Sequence, residues 1–121
     1  MVIHGDPTRL EQVVSNLLGN AVHHADSSPH VDVRLRRADG AAEITVEDYG
    51  PGIPAADLPH VFSSFYQVER EGRPSRGGMG LGLYICQEIV RAHGGEIRVR
   101  SEQGKGTAFV VRLPLMPKEA A

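Results

Sequence analysis

The chain has no tryptophan, a single cysteine and few aromatic residues, which make up 5% of its 121 positions. One cysteine, Cys86, cannot close an internal disulfide, and its place in an apolar helical stretch marks it as a small core residue in a reducing compartment. No apolar run approaches the ~18 residues that would cross a bilayer as a helix, and no signal-peptide pattern is present. The expectation is a soluble, cytoplasmic piece without direct membrane contact, whatever anchors its parent protein. Charge of one sign is also missing: 13 Lys+Arg against 15 Asp+Glu leave a net charge of -2 and a pI near 6.3. Nothing here calls for a nucleic-acid partner, although the basic residues leave room for a local phosphate pocket.

What is present suits one globular domain. With 40% hydrophobic and 23% charged residues over 121 positions, the chain can bury one core, and two domains would not fit. It opens on Met1-Val2-Ile3-His4-Gly5, apolar residues with no strand start before them, which predicts a piece cut from a longer protein.

The stretch Arg76-Gly77-Gly78-Met79-Gly80-Leu81-Gly82-Leu83-Tyr84 turns a glycine-rich polar loop directly into an apolar helix. If the helix starts near Gly80, several unpaired amide N–H groups point one way, the helix dipole adds partial positive charge, and glycine lets a ligand approach, all of which suits a phosphate. A dinucleotide-binding loop is excluded, because the third glycine position is Leu83 and no apolar strand feeds the loop. A P-loop is excluded as well, because Gly104-Lys105-Gly106-Thr107 leads into a strand-like Phe109-Val110-Val111. By itself the cluster is equally a plain loop with a helix start.

Asp6-Pro7 reads as an N-cap followed by proline at the first helical position, opening a helix over residues 8–25. At about 100° per residue, Leu10, Val13, Val14, Leu17, Leu18, Ala21 and Ala25 share an apolar arc, and Arg9, Gln12, Asn16, Asn20 and His23 share a polar strip. Two asparagines a turn apart are unusual there, because asparagine competes with helical hydrogen bonding. Stacked at i and i+4, Asn16 and Asn20 offer two amide oxygens of the kind Mg²⁺ accepts beside phosphate and water; a weakly chosen surface face is the alternative. His23 and His24 follow, able to donate to phosphate when protonated, yet equally ordinary surface histidines.

Residues 31–36 and 42–47 alternate with period two around Asp39-Gly40, which predicts a hairpin with one buried face. The second strand ends in Asp48-Tyr49-Gly50-Pro51-Gly52-Ile53-Pro54, a turn with one acid at its mouth. Asp48 is either an Asx-turn acid or a nucleobase contact; a carboxylate can accept from adenine's amine but would face guanine's carbonyl. Residues 55–65 hold a short helical piece anchored by Leu58, Val61, Phe62 and Phe65. Residues 66–77 form an aperiodic loop, either disordered or a lid over a ligand, in which Arg70, Arg73 and Arg76 are candidates for phosphate contact and the first two equally plain solvated charges. A second helix follows over residues 80–93, with Leu81, Ile85, Ile89 and Ala92 on its apolar arc, and Gly94-Gly95 stop it. Residues 96–101 and 108–113 make a second hairpin through Gln103-Gly104-Lys105-Gly106, and residues 118–121 make a frayed tail.

Taken in order, these motifs resemble the catalytic, ATP-binding domain of bacterial sensor histidine kinases. Asn16-Leu17-Leu18-Gly19-Asn20-Ala21 is similar to its N box, and Asp48-Tyr49-Gly50-Pro51-Gly52-Ile53 to its first glycine box. Phe62-Ser63-Ser64-Phe65 resembles its F box, Gly78-Met79-Gly80-Leu81-Gly82-Leu83 its second glycine box, and Gly104-Lys105-Gly106-Thr107-Ala108-Phe109 its last one. Each box is weak alone, but five in order are specific. The resemblance implies an α/β (α+β) two-layer sandwich, the Bergerat fold, in which helices cover one face of a mixed sheet, over residues 1–117. It implies that Asn16 and Asn20 hold Mg²⁺ and phosphate oxygens, and that Asp48 binds the adenine amine with help from Thr107. Gly50, Gly52 and Ile53 would lie against the base, with Phe65, His23 and His24 also at the nucleotide. Gly78, Gly80, Leu81, Gly82 and Leu83 would cradle the phosphates, and Arg76 would lie near the γ-phosphate.

The implied activity is transfer of the γ-phosphoryl group of Mg-ATP to a histidine on a separate, upstream dimerisation domain, with a response regulator downstream. Relatives that hydrolyse ATP carry a glutamate where Asn16 stands, and an amide cannot activate water at neutral pH, so little turnover is expected from the chain alone. His23 and His24 depart from the family's usual basic and aromatic residues, and Met79 replaces a polar ligand of some members. A free-standing serine kinase of the anti-sigma-factor kind and an ATP-silent interaction module remain as alternatives.

Overall fold

The computed structural model describes residues 2–24, 30–63 and 82–116, without the side chains of His23 and His24. Helix α1 is Pro7–His24. Its start follows the predicted cap: Oδ1 of Asp6 accepts from the N–H groups of Thr8 at 2.9 Å and Arg9 at 3.3 Å, and Pro7 occupies the first turn, where no donor is missed. Helix α2, Gly82–Ala92, ends as Gly94-Gly95 predicts. Gly94 turns left-handed at φ 77°, its N–H bonds Arg91 O at 3.0 Å, and Gly95 N–H bonds Val90 O at 3.0 Å, a Schellman closure.

The strands are β1 (Val31–Ala38), β2 (Ala41–Asp48), β3 (Glu96–Glu102) and β4 (Gly106–Pro114), in the order β1-β2-β4-β3. Asp39 at φ 49° and Gly40 at φ 76° form the primed turn that an Asp-Gly pair favours between β1 and β2. Where a mixed sheet was expected, the ladders among the described residues are all antiparallel. Two hairpins supply the outer pairings, and the central β2–β4 pairing joins them in the same sense. Between Asp57 and Val61 the predicted helical piece is a short 3-10 turn, Leu58–His60.

Both helices lie on one face of the sheet, the two-layer sandwich expected. Pairing partners stack this face into rows: Ala42 with Leu113, then Ile44, Val111 and Ile97, then Val46, Phe109 and Val99. Against these rows pack Val13, Leu17 and Ala21 of α1 and Cys86, Ile89 and Val90 of α2, with Phe62 edge-on to Phe109 at 6.1 Å. Two arcs read from periodicity shift here. Leu18 is exposed rather than core, and the buried face of α2 runs through Cys86 and Val90, while Ala92 is exposed. Apolar spacing marks a stripe, but the neighbour an element packs on decides which part of it is covered.

The helices are tied at their far ends by His93. Its Nδ1–H donates to Ile89 O at 2.8 Å while Nε2 accepts from Asp6 N–H at 3.0 Å, so the ring serves as a neutral bridge from the end of α2 to the cap of α1.

Candidate functional site

The apolar rows of the sheet end in a polar one. Asp48 on β2 pairs with Thr107 on β4, and Thr107 pairs with Ser101 on β3. Strand alternation sends all three to the helix side, just beyond Val46, Phe109 and Val99. The Asp48 side chain is 4% exposed and Thr107 6%. Oδ1 of Asp48 accepts from Gly50 N–H at 3.0 Å, an Asx-type contact that bends the chain out of β2, and no described residue donates to Oδ2.

Ser101 organises the other side of this row. Its hydroxyl donates to Gly106 O at 2.8 Å and accepts from Ile53 N–H at 2.7 Å, so the 2.9 Å contact with Thr107 is filled by the threonine's proton. Sequence reasoning missed Ser101. Its signal was there, a polar residue on the inward phase of Ile97-Val99-Ser101.

The loop after Asp48 lies against the β3–β4 turn so closely that glycine is required at two points. Gly52 has φ 78°, and a Cβ there would sit 2.4 Å from Glu102 O. Gly106 has φ 130°, and its Cβ would meet Asp48 O at 2.1 Å. Gly104 N–H also donates to Pro51 O at 2.8 Å. The first and last glycine boxes are therefore one structural unit, with Gly50, Gly52 and Ile53 buried within it.

The asparagines approach from above. Asn16 Nδ2 donates to Gly82 O at 3.4 Å, joining the polar strip of α1 to the first turn of α2. Asn20 is half-buried one turn further on, with no partner among the described residues. Since α2 ends at Gly94-Gly95, where Gly95 meets Arg112 O, its ~16 Å length matches the ~17 Å of β4 from Arg112 back to Thr107. Its first turn thus comes to the Asp48 end of the sandwich, and Leu83 there is partly buried against the core.

The remaining expectations divide by position. His23 and His24 close α1, but their side chains lie outside the description; Phe65, Arg76, Gly78, Gly80 and Leu81 lie outside the described residues altogether. Cys86 touches the Asn16 side chain and donates to Val13 O at 3.7 Å; burial pushes its thiol up to about 11, so it is no nucleophile at neutral pH. Among the described residues, no cluster of three or more His, Cys, Asp or Glu could hold a metal.

Residues 5–117 match the family described as histidine kinase-, DNA gyrase B- and HSP90-like ATPases. The signal transduction histidine-protein kinase AfsQ2 of Streptomyces coelicolor is 45% identical over 116 residues, covering 96% of this chain and 21% of its own length. Among solved structures, a mycobacterial sensor histidine kinase, MprB, superposes with a TM-score of 0.81 at 36% identity, over 93% of this chain and 76% of that one. Full-length ShkA, solved in complex with AMPPNP, superposes with a TM-score of 0.75 at 32% identity, over 88% of this chain and 21% of that one. The chain thus spans about a fifth of the length of its full-length relative AfsQ2. With its polar row, paired glycine boxes and amide ridge in the same fold, the chain belongs to the histidine kinase-, DNA gyrase B- and HSP90-like ATPase family, as a domain of the sensor histidine kinase kind.

Proposed function

We propose that residues 1–117 bind Mg-ATP and pass its γ-phosphoryl group to a histidine on a separate dimerisation domain of the parent kinase, from which a response regulator is served. The observation that carries this reading is the buried row of Asp48, Thr107 and Ser101, a polar end to an otherwise apolar sheet face. Asp48 accepts from the adenine amine through the oxygen that Gly50 leaves open. Thr107, its proton committed to Ser101, presents acceptor lone pairs beside it. Gly50, Gly52 and Ile53 form the backbone wall at the base.

Asn16 and Asn20 turn amide oxygens to Mg²⁺ and the phosphates. Bound there, the ion would neutralise phosphate charge and orient the γ-phosphoryl group. Gly82 and Leu83, with Gly78, Gly80 and Leu81 before them, supply the helix N-terminus for phosphate oxygens. Arg76 adds a cation near the γ-phosphate, and His23, His24 and Phe65 complete the lining. Because Asn16 cannot take a proton from water at neutral pH, the phosphoryl group is kept for an imidazole nitrogen, with ADP as leaving group. Among the described residues no helix is long and apolar enough to cross a membrane, and a cytoplasmic place beside the ATP pool suits the site.

Calorimetric titration with ATP and GTP, with and without Mg²⁺, tests the binding half. ATP should bind, magnesium should strengthen it, and GTP should bind far more weakly. Supplied with a phosphoacceptor domain, the chain should form an acid-labile, base-stable phosphoramidate. An acid-stable phosphoserine, or rapid hydrolysis of ATP by the chain alone, would count against the assignment.

A further inference from the structure

Ser101 meets two backbone groups whose hydrogen-bonding sense cannot change. Ile53 N–H can only donate to it and Gly106 O can only accept from it, at 2.7 and 2.8 Å. Both groups belong to the paired glycine boxes: Gly52, before Ile53, lies where a Cβ would strike Glu102 O, and Gly106 lies where one would strike Asp48 O. The single proton of Ser101 is therefore spent on Gly106 O. Its 2.9 Å contact with Thr107 leaves one possible donor, the Thr107 hydroxyl. Among the described residues Thr107 Oγ1 has no other partner, so what it presents beside Asp48 is lone pairs.

We propose that Ser101 is a positioning residue for base specificity: by taking the proton of Thr107 it turns Asp48 and Thr107 into an edge that accepts and cannot donate. The inference rests on the nucleotide reading above and adds to it a residue that acts through Thr107. Asp48 and Thr107 are directly opposite on β2 and β4, where Cβ atoms lie about 4.5–5.5 Å apart, close enough to face one edge of a base together. An exocyclic amine finds acceptors at both. A 6-oxo purine sets its carbonyl oxygen against lone pairs at both, and no rotation of Thr107 relieves this while Ser101 holds its proton. Polar groups left unmatched in a closed site reject an analogue more strongly than an apolar wall does. A free Thr107 hydroxyl would still accept from the amine, but it could also turn and donate to the oxygen.

A purely structural role for Ser101 has a different consequence. Ser101→Ala leaves Ile53 N–H without its acceptor, and a loosened loop would weaken every nucleotide alike. Loss of control over the Thr107 proton instead changes one nucleotide relative to another, and only while Thr107 keeps its hydroxyl. Coupling between the two positions therefore marks the mechanism.

Competition binding of ATP and ITP, which carries an oxygen where ATP has its amine, reads the effect on the 121-residue chain. The parent should prefer ATP, and Ser101→Ala should shrink that preference about three- to tenfold, the fold-change of one neutral hydrogen bond. Ser101→Thr, which keeps the hydroxyl, should retain the parent's preference. In a Thr107→Val background, Ser101→Ala should leave the ratio where Thr107→Val put it. With no nucleotide present, NMR of the parent should show a slowly exchanging Thr107 hydroxyl proton close to the β protons of Ser101. That measurement needs no variant, so it decides even if Ser101→Ala does not fold. With ATP binding intact in the parent, any of four results overturns the proposal: an ATP-to-ITP ratio unchanged by Ser101→Ala, the same change with Thr107→Val, a Ser101→Thr ratio shifted as far as that of Ser101→Ala, or a Thr107 hydroxyl proton that exchanges like an exposed one. A parent chain that binds no ATP overturns the nucleotide reading and this inference with it.

Discussion

Replacing Asp48 by asparagine separates recognition of the base from the fold that carries it. The asparagine is nearly isosteric, and its amide oxygen can still accept from Gly50 N–H, the 3.0 Å contact that bends the loop out of β2. What changes is the outer atom: an acceptor oxygen becomes an NH₂ group that meets the adenine amine donor to donor. A hydrogen bond to a charged group contributes about 1.5–3 kcal/mol, so the dissociation constant for ATP should rise about 10- to 150-fold. The preference for ATP over GTP should shrink further, since the amide can donate to guanine's carbonyl. Thermal stability should stay near that of the parent chain. Asp48→Ala makes the contrast: it removes both oxygens, leaves Gly50 N–H buried without its acceptor and costs about 1–3 kcal/mol of stability as well as binding. Competition of ATP and GTP for a fluorescent nucleotide, with a thermal melt of each variant, reads both effects. If Asp48→Asn binds ATP like the parent while Asp48→Ala only loses stability, Asp48 is a turn acid and the base-contact reasoning is wrong.

Other perturbations test the scaffold. Gly106→Ala, whose Cβ would lie 2.1 Å from Asp48 O, should force β2 and β4 apart and cost several-fold more stability than Gly104→Ala, where φ is 84° but nothing lies within 4 Å; the latter should cost about 1–2 kcal/mol in a chemical melt. Burial raises the Cys86 thiol from 9.0 to about 11. Its protonated form is therefore favoured on folding. That contribution, about 2–3 kcal/mol, is intact below pH 9 and lost as pH rises through 11. Urea melts across this range should show it, and Cys86→Ala should lack that part of the slope. At neutral pH the native thiol should ignore a thiol reagent that labels the unfolded chain. Asp6→Ala removes the acceptor for Thr8 and Arg9 N–H and should lower stability by about 1 kcal/mol, seen as a small drop in melting temperature.

The features legible in the sequence are those decided within a few residues. Asp6-Pro7 caps α1 because a carboxylate at that position reaches the next amides. Asp39-Gly40 closes the first hairpin because both residues tolerate positive φ, and Gly94 ends α2 by the same freedom. Asp48, Asn16 and Asn20 stood out because each is the wrong polarity or type for its local pattern; Thr107 came only from the family resemblance, and the structure brings Asp48 and Thr107 into one row. Chain contacts from afar were not legible. Ser101 acquires its role only when β3 lies beside β4 and the loop through Ile53 folds over it.

Sequence alone therefore determined the start of α1, the turn of the first hairpin, the end of α2 and the phase of the strands, because capping, turn conformation and strand alternation are local. The tertiary structure decided which apolar residues are core. Leu18, Val33 and Leu35 have the same periodic credentials as Val13, Val46 and Val111, yet the strand order places β1 beyond the helices and leaves them exposed. It also decided that two distant glycine boxes are one wall, since Gly106 must let Asp48's carbonyl come closer than any side chain would permit.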